Sequence, residues 1–78
     1  MPIALILIST EPSAMVEVLK EVRAVEGVEE AEMVYGFYDI IARVNVDTMD
    51  KLKHIIAYQI RRINKVLSTQ TLLVVQQE

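Results

Sequence analysis

Hydrophobic and polar positions along the chain follow two periods, one typical of strands and one typical of helices. Residues 2–8 form an unbroken aliphatic run, which predicts a buried strand. Thr10 and Pro12 follow this run and mark the start of a helix. Apolar residues then recur at helical spacing, and Gly27 is expected to end the helix. The apolar stripe of this helix consists of Met15, Val18, Leu19, Val22 and Val25.

The second half of the chain predicts two more strands, a second helix and a closing strand. The two strands cover 28–35 and 38–46. The helix covers roughly 48–63, with Asp47 as its N-cap. Residues 66–76 are strongly β-prone and predict the last strand. The apolar stripe of the second helix consists of Met49, Leu52, Ile55, Ile56, Ile60 and Ile63.

The order of these elements predicts an α+β fold of the ferredoxin-like type, β-α-β-β-α-β. Right-handed crossovers place both helices on one face of a four-stranded antiparallel sheet. The two halves are alike in outline, and their helices lead into the similar segments 25–28 (VEGV) and 63–66 (INKV). With a length of 78 residues, we expect 1–78 to form a single domain.

Some of the predicted strands are apolar on both faces. In the first strand both alternating sets of side chains are aliphatic. The last strand has Leu72 and Val74 on one face and Leu73 and Val75 on the other. Strands of this kind are normally covered on both faces, and the pattern predicts no third helix to cover the second. We therefore expect a homodimer in which two sheets pack face to face.

Composition excludes several classes of protein. The chain has no cysteine, which excludes disulfides, thiolate metal sites and a cysteine nucleophile. A net charge of −3 argues against a nucleic-acid surface. The N-terminal apolar run is too short to span a bilayer and lacks the flanks of a signal peptide. We therefore expect a cytoplasmic protein that contacts neither membrane nor nucleic acid directly.

Residues that could support catalysis or bind a metal are scarce. His54 is the only histidine, and it is expected on the surface of the second helix. Glu29, Glu30 and Glu32 alternate across a strand, so they do not form one site. The sequence has neither a nucleophile elbow nor a phosphate-binding glycine loop. We therefore expect no enzyme activity, no cofactor and no metal site.

The segment 35–39, YGFYD, is the first candidate for ligand binding. Gly36 and Phe37 are expected to form a two-residue type II′ hairpin turn, in which the glycine supplies a positive φ. Asp39 is unusual, because aspartate is depleted from strands. Either it is a solvated carboxylate next to a turn, or it binds a ligand.

The second candidate is segment 68–71, STQT, at the start of the last strand. Thr69 and Thr71 lie on the same face of a strand. Threonine is common in strands, so the pair has an ordinary structural interpretation. Alternatively, their hydroxyls hold a small polar ligand.

Taken in this order, the elements and motifs resemble the RAM domain, the effector-binding half of Lrp/AsnC transcription regulators. The shared features are the turn Gly36-x-Tyr38-Asp39, the aspartate before the second helix and the V-x-x-T-x-T pattern that begins at Val66. The resemblance covers essentially all 78 residues. It implies dimers that pair through their sheets and assemble into rings of eight or ten subunits.

The resemblance also implies an amino-acid effector, bound where dimers meet. An aspartate at the turn can accept a hydrogen bond from the ligand ammonium. Backbone N–H groups of the turn and threonine hydroxyls can donate to its carboxylate. The residues implied in the pocket are Gly36, Phe37, Tyr38, Asp39, Thr69 and Thr71.

The sequence departs from the family pattern in two respects. It begins directly with the first strand, so the helix-turn-helix of the family is not expected. The resemblance then implies transcription regulation without direct DNA binding, either alone or with full-length regulators as partners. The family often has Pro-Gly where this chain has Asn64-Lys65. Lys65 either places a positive charge near the pocket or caps the helix dipole.

Two other functions remain open on the sequence. A small dimeric α/β-barrel enzyme, of the monooxygenase or isomerase type, has the same fold. Such an enzyme needs polar groups between sheet and helices, whereas the strand positions expected there are aliphatic. The other alternative is an oligomerisation domain that binds no ligand.

Overall fold

The aliphatic run at the start of the chain forms the central strand β1 (Ile3–Thr10) of a four-stranded antiparallel sheet. In the computed structural model, which describes residues 2–75, β2 (Val28–Met33) and β3 (Ile40–Asn45) form a hairpin. β4 (Val66–Leu73) pairs with the other side of β1. The sheet order is β2-β3-β1-β4, which is the expected ferredoxin-like order.

Two helical segments cover one face of this sheet. The first is α1 (Met15–Arg23), which follows a short 3₁₀ turn at Pro12–Ala14. The second is α2 (Met49–His54), which continues as a π-helix over Ile55–Ile60. Alternate residues of the strands meet the apolar stripes of the helices to form the core. The buried apolar residues are Ala4, Ile6, Ile8, Ala14, Val18, Leu19, Val22, Ala31, Ile40, Ala42, Val44, Val46, Leu52, Ile55 and Ile60.

The predicted stripes are confirmed with one exception, since Met49 is 42% exposed. β2 and β3 are shorter than the predicted strands 28–35 and 38–46, because β2 ends at Met33 and β3 covers only Ile40–Asn45. β1 extends beyond residue 8 to Thr10. β4 ends at Leu73, and residue 76 of the predicted last strand lies outside the described residues.

The expected N-cap of the second helix is wrong by one residue. Thr48 is the N-cap, and its hydroxyl accepts a hydrogen bond from the N–H of Lys51 at 3.1 Å. Asp47 instead forms an exposed ion pair with Lys51, with 3.3 Å between Oδ2 and Nζ. Both residue types are good caps, so only the backbone path decides between them.

Gly27 does not directly end the first helix, because α1 ends at Arg23. It lies in the connection to β2, where its φ is +100°. A Cβ at this position would lie 2.9 Å from Cγ1 of Val46 and 3.0 Å from Cδ1 of Ile55. Both the backbone conformation and the close packing therefore favour glycine here.

The similarity between segments 25–28 and 63–66 reflects equivalent turns. In each segment the N–H of the last residue donates to the carbonyl of the first at 3.2 Å. The third residue has a positive φ in both, +100° at Gly27 and +76° at Lys65. Each half of the fold therefore enters its outer strand through the same kind of turn.

The second face of the sheet is uncovered by any helix within residues 2–75. Leu7 lies opposite Ile41 on this face, and Leu5 lies opposite Leu72. Leu72 is 45% exposed. The two-faced pattern of the strands is thus real, and an apolar strip runs across the middle of the sheet.

Polar side chains border this strip. The Glu29 carboxylate accepts hydrogen bonds from Nδ2 of Asn45 and Nε of Arg43, both at 3.0 Å. These bonds, first that from Asn45 and then that from Arg43, hold the pKa of the Glu29 carboxyl below its usual value.

Candidate functional site

The hairpin loop between β2 and β3 lies at the end of the sheet where β1 ends and β4 begins. The N–H of Val34 donates to the carbonyl of Asp39 at 2.8 Å, so residues 35–38 form the tip. The predicted two-residue turn is therefore wrong, and the loop is longer. The positive φ at Gly36 is confirmed at +140°. Open space surrounds this glycine, so its backbone conformation rather than packing favours the residue.

Asp39 joins the loop to the end of β1. Its Oδ2 accepts a hydrogen bond from the N–H of Thr10 at 2.8 Å. Its own N–H donates to the carbonyl of Ile8 at 2.9 Å. At the point where β1 and β3 separate, this half-buried carboxylate therefore accepts the hydrogen bond that a backbone carbonyl would accept in a regular sheet. A carboxylate has about four acceptor positions, so this bond leaves most of them free.

The tip of the loop exposes aromatic side chains. Tyr35 and Phe37 are both fully exposed, while Tyr38 is half-buried. In the part of the chain that the structure describes, the N–H groups of residues 36–38 form no hydrogen bond. The loop thus presents unpaired backbone donors beside a carboxylate and apolar rings, a combination suited to a polar ligand or a second subunit.

The two threonines of β4 lie on the helix side of the sheet, and both are half-buried. Thr69 pairs with Ile8, and Thr71 pairs with Ile6. Because β1 lies between β3 and β4, Thr69 is about 10 Å from the start of β3, or two strand spacings. Thr71 lies about 7 Å farther along β4, away from the loop.

The fold therefore brings some of the predicted residues together better than others. Asp39 and Thr69 flank the end of β1 from opposite sides. Thr71 faces the same way as Thr69 but lies nearer the middle of the sheet. Thr10, whose N–H holds the Asp39 carboxylate, was not among the predicted residues. Because the donor is a backbone N–H, the side chain of residue 10 does not indicate this bond. Only the pairing of β1 with β3 shows that Thr10 lies next to Asp39.

A groove lies at the opposite end of the sheet, between α2 and the connection that follows α1. Its volume is about 630 Å³, and Gly27, Val46 and Ile55 form part of its lining. The expected surface position of His54 is confirmed there, and its ring centroid is 5.2 Å from that of Tyr58. Within residues 2–75, no group of three or more acidic or histidine side chains could hold a metal ion.

No helix among residues 2–75 is long and apolar enough to cross a membrane.

Comparison with known proteins agrees with this architecture. The structure of FFRP-DM1 is 35% identical, with a TM-score of 0.91, and the match covers 96% of this chain and 100% of that one. E. coli AsnC is 27% identical with a TM-score of 0.90, over 97% of this chain and 52% of AsnC. The chain thus spans about half the length of AsnC.

A third structure has the same fold at lower identity. It is a transcriptional regulator from Neisseria meningitidis in an L-Met complex, 18% identical with a TM-score of 0.86, over 96% of this chain and 50% of the regulator. No curated protein sequence matches the chain. The family model of the Lrp/AsnC ligand binding domain matches residues 3–78. The chain therefore belongs to the Lrp/AsnC ligand binding domain family.

Proposed function

We propose that this chain binds an amino acid or a similar small metabolite where dimers meet, and that it acts in transcription regulation without direct DNA binding. The observation that carries the proposal is the carboxylate of Asp39, held at the exposed hairpin loop of a domain from a ligand-binding family. In this proposal, residues 1–78 act as a single domain.

The chemistry of the loop suits the two charged groups of an amino acid. The carboxylate of Asp39 keeps free acceptor positions for an ammonium group. The unpaired N–H groups of Gly36, Phe37 and Tyr38 can donate to the ligand carboxylate. The Thr69 and Thr71 hydroxyls are further donors, and Thr69 lies closer to the loop.

The pocket is completed by a neighbouring subunit in this proposal. The uncovered sheet face packs against a second copy, which removes its apolar strip from water. Dimers then meet through the hairpin loops, where Tyr35 and Phe37 are fully exposed in the single chain. Rings of eight or ten subunits are the proposed final assembly, and full-length regulators of the family are further proposed partners.

An amino acid as ligand is also supported by fold analogy. The regulator from Neisseria meningitidis with the same fold was solved in complex with L-Met. At 18% identity, the likeness to it concerns the fold alone. A ligand bound between subunits would favour the assembly state that it contacts best, so binding and assembly would be linked.

A thermal-shift screen of the 20 common amino acids tests the proposal. We expect at least one to raise the melting temperature of the wild-type protein. Asp39→Ala removes both the charge and the bond to Thr10, so loss of response alone could reflect a disordered loop. Asp39→Asn keeps an oxygen that can accept from the Thr10 N–H and removes only the negative charge.

We therefore expect Asp39→Asn to fold normally and to lose the thermal shift. The matched control is Asp47→Asn, which removes an exposed carboxylate at the opposite end of the sheet and should respond like the wild type. The proposal is wrong if no amino acid stabilises the wild-type protein, or if Asp39→Asn responds as strongly as the wild type does.

The two alternatives make different predictions. Family membership places the chain with ligand-binding domains of transcription regulators rather than with enzymes. A pure oligomerisation domain, by contrast, would bind no metabolite. Assembly that is insensitive to every metabolite tested would favour it.

A further inference from the structure

We infer that Lys65 is a specificity-determining residue of this pocket, and that it recognises a second carboxylate on the ligand. The favoured ligand is then an amino acid with an acidic side chain. This inference rests on the proposed function of the Asp39 loop and adds the chemical class of its ligand.

The first observation is the backbone conformation of Lys65. It occupies the third position of the hydrogen-bonded turn 63–66 with a φ of +76°. A positive φ at this position is the arrangement of a type II turn, which favours glycine. The equivalent turn in the other half of the chain follows this rule with Gly27. Lysine in the left-handed region is therefore a local exception, and such exceptions concentrate at functional sites.

The second observation is the position of Lys65 relative to Asp39. The carbonyl of Lys65 accepts a hydrogen bond from the N–H of Glu11 at 3.1 Å. The preceding residue, Thr10, donates its N–H to the Asp39 carboxylate at 2.8 Å. Lys65 and Asp39 thus hold consecutive residues at the end of β1, from opposite sides of that strand.

This arrangement places opposite charges on the two sides of one strand end. The backbones on either side of β1 are about 10 Å apart, since two strand spacings separate them. Lysine carries its ammonium on a flexible four-carbon stem, so the charge can approach a ligand held at the loop. A molecule with an ammonium at one end and an extra carboxylate at the other matches both charges.

The third observation is the charge balance of the connection before β4. Lys65 is exposed and has no ion pair within residues 2–75. The same holds for Arg61 and Arg62 on this connection. The connection into β4 thus carries three cations, in a chain whose net charge is −3. Glu11 is a carboxylate at the same end, but it forms no ion pair with them in the described chain.

Isosteric ligand pairs provide the test. Calorimetric titration would compare L-glutamate with L-glutamine and L-aspartate with L-asparagine, because each pair differs only in a carboxylate or an amide. We expect the wild-type protein to bind an acid about two- to fivefold tighter than its amide, as one partly exposed ion pair provides. Higher salt should narrow this difference, since the contact is partly exposed.

Variants assign the preference to Lys65. Lys65→Gln keeps a long side chain and removes the charge, so acid and amide should bind about equally. Lys65→Arg keeps the charge and should retain the preference. The matched control is Lys53→Gln, which removes an exposed lysine of α2 away from the loop and should behave like the wild type.

Two results would overturn the inference while leaving the proposed function intact. One is a wild-type protein that binds amino acids through Asp39 with no preference for the acid. The other is a Lys65→Gln variant that keeps the preference. If no amino acid binds the wild-type protein at all, both the inference and the proposed function are wrong.

Discussion

Gly27 and Lys65 occupy equivalent turn positions, yet the surroundings make different demands on them. A Cβ at Gly27 would come within 2.9 Å of Val46, so space as well as backbone conformation favours glycine there. Lys65 already carries a side chain and is exposed, so its backbone conformation is the disfavoured feature. A substitution at Lys65 therefore tests the cost of the backbone conformation alone, whereas one at Gly27 tests that cost together with the cost of packing.

Lys65→Gly should stabilise the protein. Glycine adopts a positive φ without the steric cost that a Cβ brings, although it also makes the unfolded chain more flexible. We expect a net gain of about 0.5–1 kcal/mol, or roughly 2–8 °C in melting temperature for a domain of this size. Thermal denaturation at one fixed protein concentration measures this change.

Gly27→Ala is the control for this prediction, and it should destabilise the protein because the added Cβ meets Val46 and Ile55. A Lys65→Gly variant that is no more stable than the wild type would show that the turn does not strain the lysine. The positive φ of Lys65 would then no longer support the inference that this residue recognises the ligand.

At the scale of elements, helix caps and loop lengths depend on the backbone path. Asp47 and Thr48 are adjacent residues that could both cap α2, and the structure uses Thr48. The Asp39 carboxylate likewise accepts from the N–H of Thr10, just beyond the last paired residues of β1 and β3. In both cases a side chain takes the place of a regular backbone partner.

Thr48→Ala should therefore destabilise the protein more than Asp47→Ala. The Thr48 hydroxyl satisfies the N–H of Lys51, and loss of such a cap typically costs about 1 kcal/mol. Asp47 contributes an exposed ion pair, which is worth well under about 1 kcal/mol. Urea denaturation of the two variants under identical conditions compares these costs. Equal costs, or a larger one for Asp47→Ala, would contradict the assignment of the cap.

At the scale of the whole molecule, the uncovered sheet face is the surface through which we propose that the chain dimerises. Helices cover one face of the sheet, and the other carries the apolar strip formed by β1, β3 and β4. Strands that are apolar on both faces are normally covered on both faces. In the proposed dimer, the sheet of a second copy covers this face.

Leu7→Glu should therefore prevent the proposed dimer from forming, because it places a charge at the middle of the strip, opposite Ile41. Val16→Glu is the matched control, since Val16 is a 55% exposed aliphatic residue on α1. Light scattering coupled to size-exclusion chromatography measures the mass of each variant, and circular dichroism checks that each is folded. A folded Leu7→Glu protein of unchanged mass would rule out dimerisation through this face.

Much of the fold and part of the candidate site could be predicted from sequence. The buried stripe of each helix and the two-faced strands follow from periodicity, which depends only on the geometry of each element. The positive φ at Gly36 follows from a property of glycine itself. The bond between Asp39 and Thr10 could not be predicted, because it joins residues 29 positions apart.

The sequence by itself determined the order of elements, the helix stripes and the apolar character of both sheet faces, because these depend on neighbours within a few residues. Only the tertiary structure decided which residues share the end of β1. There, pairing with β3 brings Asp39 to Thr10, and the turn before β4 brings Lys65 to Glu11. The physical reason is that the donor in each contact is a backbone N–H, which almost every residue has, so the identities of Thr10 and Glu11 do not indicate their partners.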